Sequence, residues 1–187
     1  LDYIKTRIKR EEGYKLLPSS SNGTFKSDLK ASESGNRYDI INTEGYMGAY
    51  QFGDARLKDY KDASGEKFDN KLFIKDKKLQ DRVFKWHTND IKDFITKNEL
   101  DSYIGKEING VPVTLNGLIA VAHLGGKDGM KTFLKSDGVY NPSDSVGTSL
   151  TNYLEKFQSV LKGGYGHEVK KGETHAHFTY TRDYWER

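Results

Sequence analysis

The sequence predicts a mainly α-helical domain with little strand, and three stretches carry that prediction. Over 76–97, Leu79, Val83, Trp86, Ile91, Phe94 and Ile95 recur at intervals near the helical period. After Thr114, Leu115, Leu118, Ile119 and Ala122 make one apolar face on the least polar stretch of the chain, which places it at the core. Further on, Val146, Leu150, Tyr153, Leu154, Phe157 and Val160 repeat the helical pattern. The chain has 187 residues, about the length of one domain. Its mean hydropathy is −0.79, yet 12 Tyr, 9 Phe and 2 Trp supply large apolar bodies for a core.

Taken in order, residues 2–12 read as a charged amphipathic helix carrying Tyr3, Ile4 and Ile8. Pro18 to Gly23 is a loop by composition. Thr24 is placed to cap a short helix running to about Glu33, which Gly35 and Asn36 end. Residues 35–48, rich in Gly, Asn and Thr, read as an ordered loop. A helix is expected from about Gly48 to Tyr60, followed by a polar linker over 61–75 and the helix of 76–97. Thr114 is a candidate N-cap, and Gly125-Gly126 stops the helix that it starts. Lys127–Lys135 is a short helix closed by Asp137-Gly138, and Asn141-Pro142-Ser143-Asp144 is a turn. From Gly163 the composition changes, with Gly163, Gly164 and Gly166 followed by alternating Thr, Tyr, His and Phe. Residues 1–162 are therefore expected to form the main domain, with 163–187 an irregular or short-strand tail packed on it.

Composition excludes several classes of function. The chain has no cysteine, so disulfides, thiolate nucleophiles and Cys-ligated zinc are out. No apolar run reaches the roughly 18 residues of a membrane span, and no signal-peptide pattern is present. Thirty basic against 27 acidic residues leave a net charge of +3. That mild excess falls short of a nucleic-acid signature.

The informative stretch is Ala31-Ser32-Glu33-Ser34-Gly35, then a loop, then Gly45-Tyr46-Met47-Gly48-Ala49-Tyr50-Gln51-Phe52. A carboxylate sits at a helix end, where the chain enters a Gly-containing loop. Twelve residues later a second Gly-rich segment brings two Tyr, a Met and a Gln. Glycines let a backbone approach a ligand closely. Tyr faces stack on sugar rings, and Gln bonds hydroxyl or acetamido substituents. A Glu walled by Met and Tyr is expected to be partly desolvated, which raises a carboxyl pKa toward the range of a general acid. Such a group protonates a glycosidic oxygen.

This constellation resembles the soluble lytic transglycosylase and goose-type lysozyme superfamily. That family has a Glu-Ser pair, a short variable loop and then Gly-x-Met-Gly-x-x-Gln, matched by Glu33-Ser34 and Gly45 to Gln51. Ala122-His123-Leu124-Gly125-Gly126 is similar to the family's Ala-Tyr-Asn-Ala-Gly segment, with His123 and Leu124 replacing Tyr-Asn. Phe73 to Gln80 is similar to its intervening helix start, and the resemblance spans roughly residues 24–160. It implies a lysozyme-like helical fold around a glycan-binding cleft, and cleavage of the β-1,4 bond between N-acetylmuramic acid and N-acetylglucosamine in peptidoglycan. It implies Glu33 as the catalytic acid, without metal or organic cofactor. Ser34, Tyr46, Met47, Tyr50, Gln51 and His123 are the implied substrate-binding residues. The partners implied are peptidoglycan glycan strands and an inhibitor or immunity protein. The place of action implied is the periplasm or cell wall. A start at Leu1 without an export signal carries the separate expectation that the chain is a module of a larger secreted effector or phage tail protein.

Each of these residues also has a plainer reading. A lone Glu is usually solvated. Ser34 reads better as a helix-end or orienting hydroxyl than as a nucleophile, because no nucleophile elbow is present. Tyr46 and Tyr50 fit core aromatics as well as cleft walls, and His123 fits a satisfied core histidine. A hydrolase would use a second carboxylate to position water, with Asp39, Glu44 and Asp54 the candidates; a transglycosylase works with one Glu. In the tail, His175-Ala176-His177-Phe178 lacks the upstream His-x-x-x-Asp pattern that a zinc site needs. The alternatives in other classes are a non-catalytic peptidoglycan-binding module and, more weakly, a nucleic-acid binder.

Overall fold

The computed structural model describes residues 24–143 and 147–158. The helix expected over 2–12, the tail after Gly163 with its histidines, and the division at 162/163 lie outside the described residues. Within them the protein is mainly helical, with six α-helices and one two-stranded sheet.

Helix α1 (Phe25–Ser34) begins where the Thr24 side chain accepts the Ser27 N–H, a cap worth about 1 kcal/mol. It ends at Gly35, whose φ of 64° is the left-handed conformation that closes helices. Phe25, Leu29 and Glu33 are spaced four apart, so they share the face turned to the core.

The following loop contains the first departure from the sequence pattern. No helix starts at Gly48. Gly48 and Gln51 both have positive φ, 75° and 53°, which a helix cannot hold. Met47 and Phe52 instead exchange backbone hydrogen bonds at 2.9 and 3.0 Å, closing a tight turn. Helix α2 (Asp54–Ser64) starts after it and runs four residues past Tyr60, into the stretch expected to be linker. A further short helix, α3 (Asn70–Phe73), is capped by Asp69 and buries Phe73.

Helix α4 (Lys77–Lys97) matches its expectation and is capped by Asp76. Its buried stripe includes Leu79, Gln80, Val83, Phe84, His87, Ile91 and Ile95, while Trp86 and Phe94 flank it. A 3-10 turn (Leu100–Tyr103) leads to the antiparallel pair β1 (Glu107–Ile108) and β2 (Val111–Pro112). Their turn is Asn109-Gly110, with φ of 52° and 75°, as a tight hairpin requires.

Helix α5 (Leu115–Lys135) is capped by Thr114 and breaks at Gly126, with φ 77° and ψ 165°. The Gly125-Gly126 stop and the short helix from Lys127 are thus both present, as two helical pieces around one kink. Asp137 and Gly138, both at positive φ, close the second piece. Helix α6 (Leu150–Lys156) carries a capping box between Ser149 and Asn152; Val146 and Val160 of the apolar pattern lie outside the described residues. It lies close against α5: a Cβ on Gly117 would meet Leu154 at 2.7 Å. The core is one cluster drawn from all six helices, with Leu29, Leu57, Phe73, Ile91, Leu118 and Leu154 fully buried. No helix among the described residues is long and apolar enough to cross a membrane.

Candidate active site

Glu33 lies on the inward stripe of α1, in its last turn, and is 4% exposed. Tyr153, on the buried face of α6, donates its hydroxyl to Glu33 Oε1 at 2.6 Å. The other carboxylate oxygen has no hydrogen-bond partner among the described residues, and Glu33 has no ion-pair partner among them. Beside it, Lys156 Nζ donates to Ser32 Oγ at 2.6 Å, so α6 ties to the end of α1 at two neighbouring points. Ser34 is buried and fully used within its own turn. Its hydroxyl donates to the Lys30 carbonyl and accepts the Arg37 N–H, which is a helix-end role.

The Gly45–Phe52 segment is pinned from two sides. Asn42 Oδ1 accepts the Glu44 and Tyr46 N–H groups at 2.9 and 2.8 Å. Gln80 reaches out of α4, accepts the Ala49 N–H at 2.8 Å, and donates to the Tyr38 and Phe73 carbonyls at 3.0 Å. A Cβ at Gly48 would collide with that Gln80 amide, so the position requires glycine.

The expected binding residues divide under this geometry. Tyr50 is fully buried, stacks on Phe84 at 4.2 Å and donates its hydroxyl to Asp81 at 2.7 Å. It is a core residue with no face for a sugar. Met47 is buried as well, and its N–H and C=O both serve the bridge to Phe52, so its backbone does not face a ligand as expected. Tyr46 is half-buried, with its ring edge close to Gly53, and keeps part of its surface open. Gln51 is 7% exposed, and its Nε2 donates to the Gly48 carbonyl at 2.6 Å. Its Oε1 is buried with no hydrogen-bond partner among the described residues. A buried amide oxygen without a donor is costly.

His123 lies on α5 before the Gly126 break and is paired with a histidine that the sequence reading missed. His87 Nε2 and His123 Nδ1 are 3.0 Å apart. Arg56 Nε donates to His87 Nδ1 at 2.8 Å, and Arg56 Nη2 meets Asp90 at 2.5 Å. Lys127 also bonds Asp90, at 2.9 Å. Burial drives His87 well below the usual histidine pKa, and the charges of Arg56 and Lys127 push it the same way. Burial also lowers His123, opposed by the Glu33 carboxylate and the Tyr50 carbonyl.

Asp39, Glu44 and Asp54, the second-carboxylate candidates, are all exposed, and Asp54 bonds Asn70. Among the described residues no group of three or more His, Asp or Glu is arranged to hold a metal. A shallow cavity of about 400 Å³ lies along α4, lined by Tyr60, Arg82, Lys85, Trp86, Asp90 and others, and Glu33 does not line it.

The residues that sequence reasoning missed are Tyr153, Gln80, His87 and Arg56. Tyr153 carried one signal, a phenol on an apolar helix face, because a buried hydroxyl needs a partner. Comparison with family models, with curated proteins and with solved structures returns no match.

Proposed function

We propose that the chain cleaves peptidoglycan as a muramidase, acting on the β-1,4 bond between N-acetylmuramic acid and N-acetylglucosamine with Glu33 as its single general acid and base. The observation that carries this reading is the buried Glu33 carboxyl, bonded on Oε1 by a neutral phenol and with no partner among the described residues on its other oxygen. In the first step the protonated Glu33 gives its proton to the glycosidic oxygen. The C–O bond breaks with its electron pair on the leaving oxygen, and positive charge develops on the sugar ring. The Tyr153 hydroxyl then steadies the carboxylate that remains. Glu33 next takes a proton from the attacking group. Water as that group gives hydrolysis; the muramic acid's own 6-hydroxyl gives a 1,6-anhydro end. The exposed setting of Asp39, Glu44 and Asp54 favours a one-carboxylate route. The glycan strands are reached in the periplasm or cell wall, with an inhibitor protein as the natural antagonist.

A second reading, a peptidoglycan-binding module without turnover, is favoured by one observation: Glu33 is nearly covered. Digestion of purified peptidoglycan separates the two. The muramidase reading expects soluble muropeptides, with reducing ends if water attacks and lighter by one water if the 6-hydroxyl attacks. Retained binding to the sacculus with no release at any pH would leave only the binding module.

A further inference from the structure

The cavity of about 400 Å³ along α4 is not part of the Glu33 site, and it has a rigid wall. Trp86 forms that wall. It is half-buried, with the Arg56 guanidinium 4.1 Å from its ring centre and the Tyr60 ring 5.5 Å away at 71°. Arg56 is itself tied to His87 and Asp90, so the indole is held from behind by α2 and α4 together.

Several groups at the cavity are left for a ligand. The Trp86 indole N–H, which only donates, meets no acceptor among the described residues. Asn89 is exposed, and its side-chain amide has no hydrogen-bond partner among them. Lys85 and Asp93 are exposed and enter no salt bridge among them. The other charges there are already served. Arg82 pairs with Glu66 at 3.2 Å, and Asp90 pairs with Arg56 and Lys127.

The groups left over stand in an order. Lys85, Trp86, Asn89 and Asp93 follow one another along α4, and all four line the cavity. A cation therefore marks one end and a carboxylate the other, about 12 Å apart along the axis at about 1.5 Å per residue. An aromatic donor and an amide lie between them. About three to four extended peptide residues cover the same length. An Asn amide donates to a peptide unit and accepts from it at once, and an indole N–H donates to a carbonyl. A neutral sugar has no charge to match either end.

We propose that this cavity binds a short peptide carrying a carboxylate and an ammonium, with the carboxylate at Lys85, the ammonium at Asp93 and the peptide units on Trp86 and Asn89. The identity of that peptide rests on the muramidase reading: it is the stem attached to N-acetylmuramic acid. The α4 cavity then holds the substrate by its peptide while Glu33 acts on its glycan. The place and charge order of the site do not depend on that reading.

The test is titration of the full chain with N-acetylated alanyl-γ-glutamyl-lysine, followed by nitrogen NMR of the indole N–H groups. Trp185→Phe tells the Trp86 signal from that of the chain's other tryptophan. The Trp86 signal is expected to shift as the peptide binds. Lys85→Gln and Asp93→Asn, both at exposed positions, should each weaken binding about three- to tenfold. Acetylating the peptide's ammonium should cost the wild type the same factor and cost Asp93→Asn nothing further. Amidating its carboxylates should behave in the same way with Lys85→Gln. An unmoved Trp86 signal at millimolar peptide would overturn the proposal. So would peptide modifications whose penalties add in full to those of both variants. A Trp86 signal that answers an N-acetylglucosamine oligosaccharide and not the peptide would make this a sugar site and overturn it too. Release of muropeptides by a protein whose Trp86 ignores the peptide would refute the α4 site and leave the role of Glu33 standing. A Trp86 that answers the peptide in a protein that releases nothing would refute the muramidase reading and leave the α4 site standing.

Discussion

Glu33 and Asp81 each receive a tyrosine hydroxyl, yet their surroundings suit them to opposite tasks. Asp81 accepts from Tyr50 at 2.7 Å and from Tyr38 at 3.2 Å, and pairs with Lys26 at 2.9 Å. Burial alone would raise its pKa, but those three donors outweigh it and hold the carboxyl below the usual range. It is an anchored anion that joins α1 and the Tyr50 turn to α4. Glu33 is more deeply buried and has one neutral donor among the described residues. A carboxylate surrounded by donors and a cation is a fastener. One held at a single oxygen can still exchange a proton.

Removing the two phenols is the sharpest way to break that comparison. Tyr153→Phe is expected to slow muropeptide release by about 10- to 100-fold, the worth of a hydrogen bond to a charged group. Tyr50→Phe removes the matching hydroxyl from Asp81. It should leave release per folded molecule alone and cost about 1 kcal/mol of stability, read by urea unfolding. Asp81→Asn leaves two hydroxyls and Lys26 poorly served, and is expected to cost about 1–3 kcal/mol in the same measurement.

Acid should separate the buried groups by stages. His87 and His123 have lowered folded pKa values, so below the ordinary value of 6.5 the unfolded chain binds protons that the folded one refuses. Stability is expected to decline as pH falls below 6.5. Asp81 and Asp90, also lowered, stabilise the fold above their ordinary 3.8 and lose that contribution as pH falls through their folded values. A melting-temperature profile should therefore show two acid limbs, and His87→Gln should flatten the upper one. The smallest effect expected is that of Lys26→Met. Its ion pair with Asp81 is well exposed, at 43% and 37%, and its loss should cost less than about 1 kcal/mol.

Much of the helical frame was legible because it follows from local chemistry. Thr24 and Thr114 cap where hydroxyls before apolar stripes should cap, and Gly35 and Gly126 break helices as glycines do. Glu33 could be placed on a helix end, and its spacing from Leu29 turns it inward. The start of α2 was not legible. It depends on the positive φ of Gln51 and on the Gln80 amide, which arrives from α4. The Asn109-Gly110 hairpin did carry a signal, but two-residue strands are too short to alternate visibly. Tyr153 lies 120 residues from Glu33 in sequence, and no local pattern joins them. Tyr50 was misplaced because an aromatic beside glycines suits a sugar platform and a core equally, and only packing on Phe84 decides.

The most direct measurement compares muropeptide release from purified peptidoglycan by the wild type, Glu33→Gln and Asp81→Asn, with each protein's folded fraction measured alongside. The account predicts at least about a 10²-fold loss for Glu33→Gln in a folded protein, and wild-type release per folded molecule for Asp81→Asn. Equal release by the wild type and Glu33→Gln would contradict it.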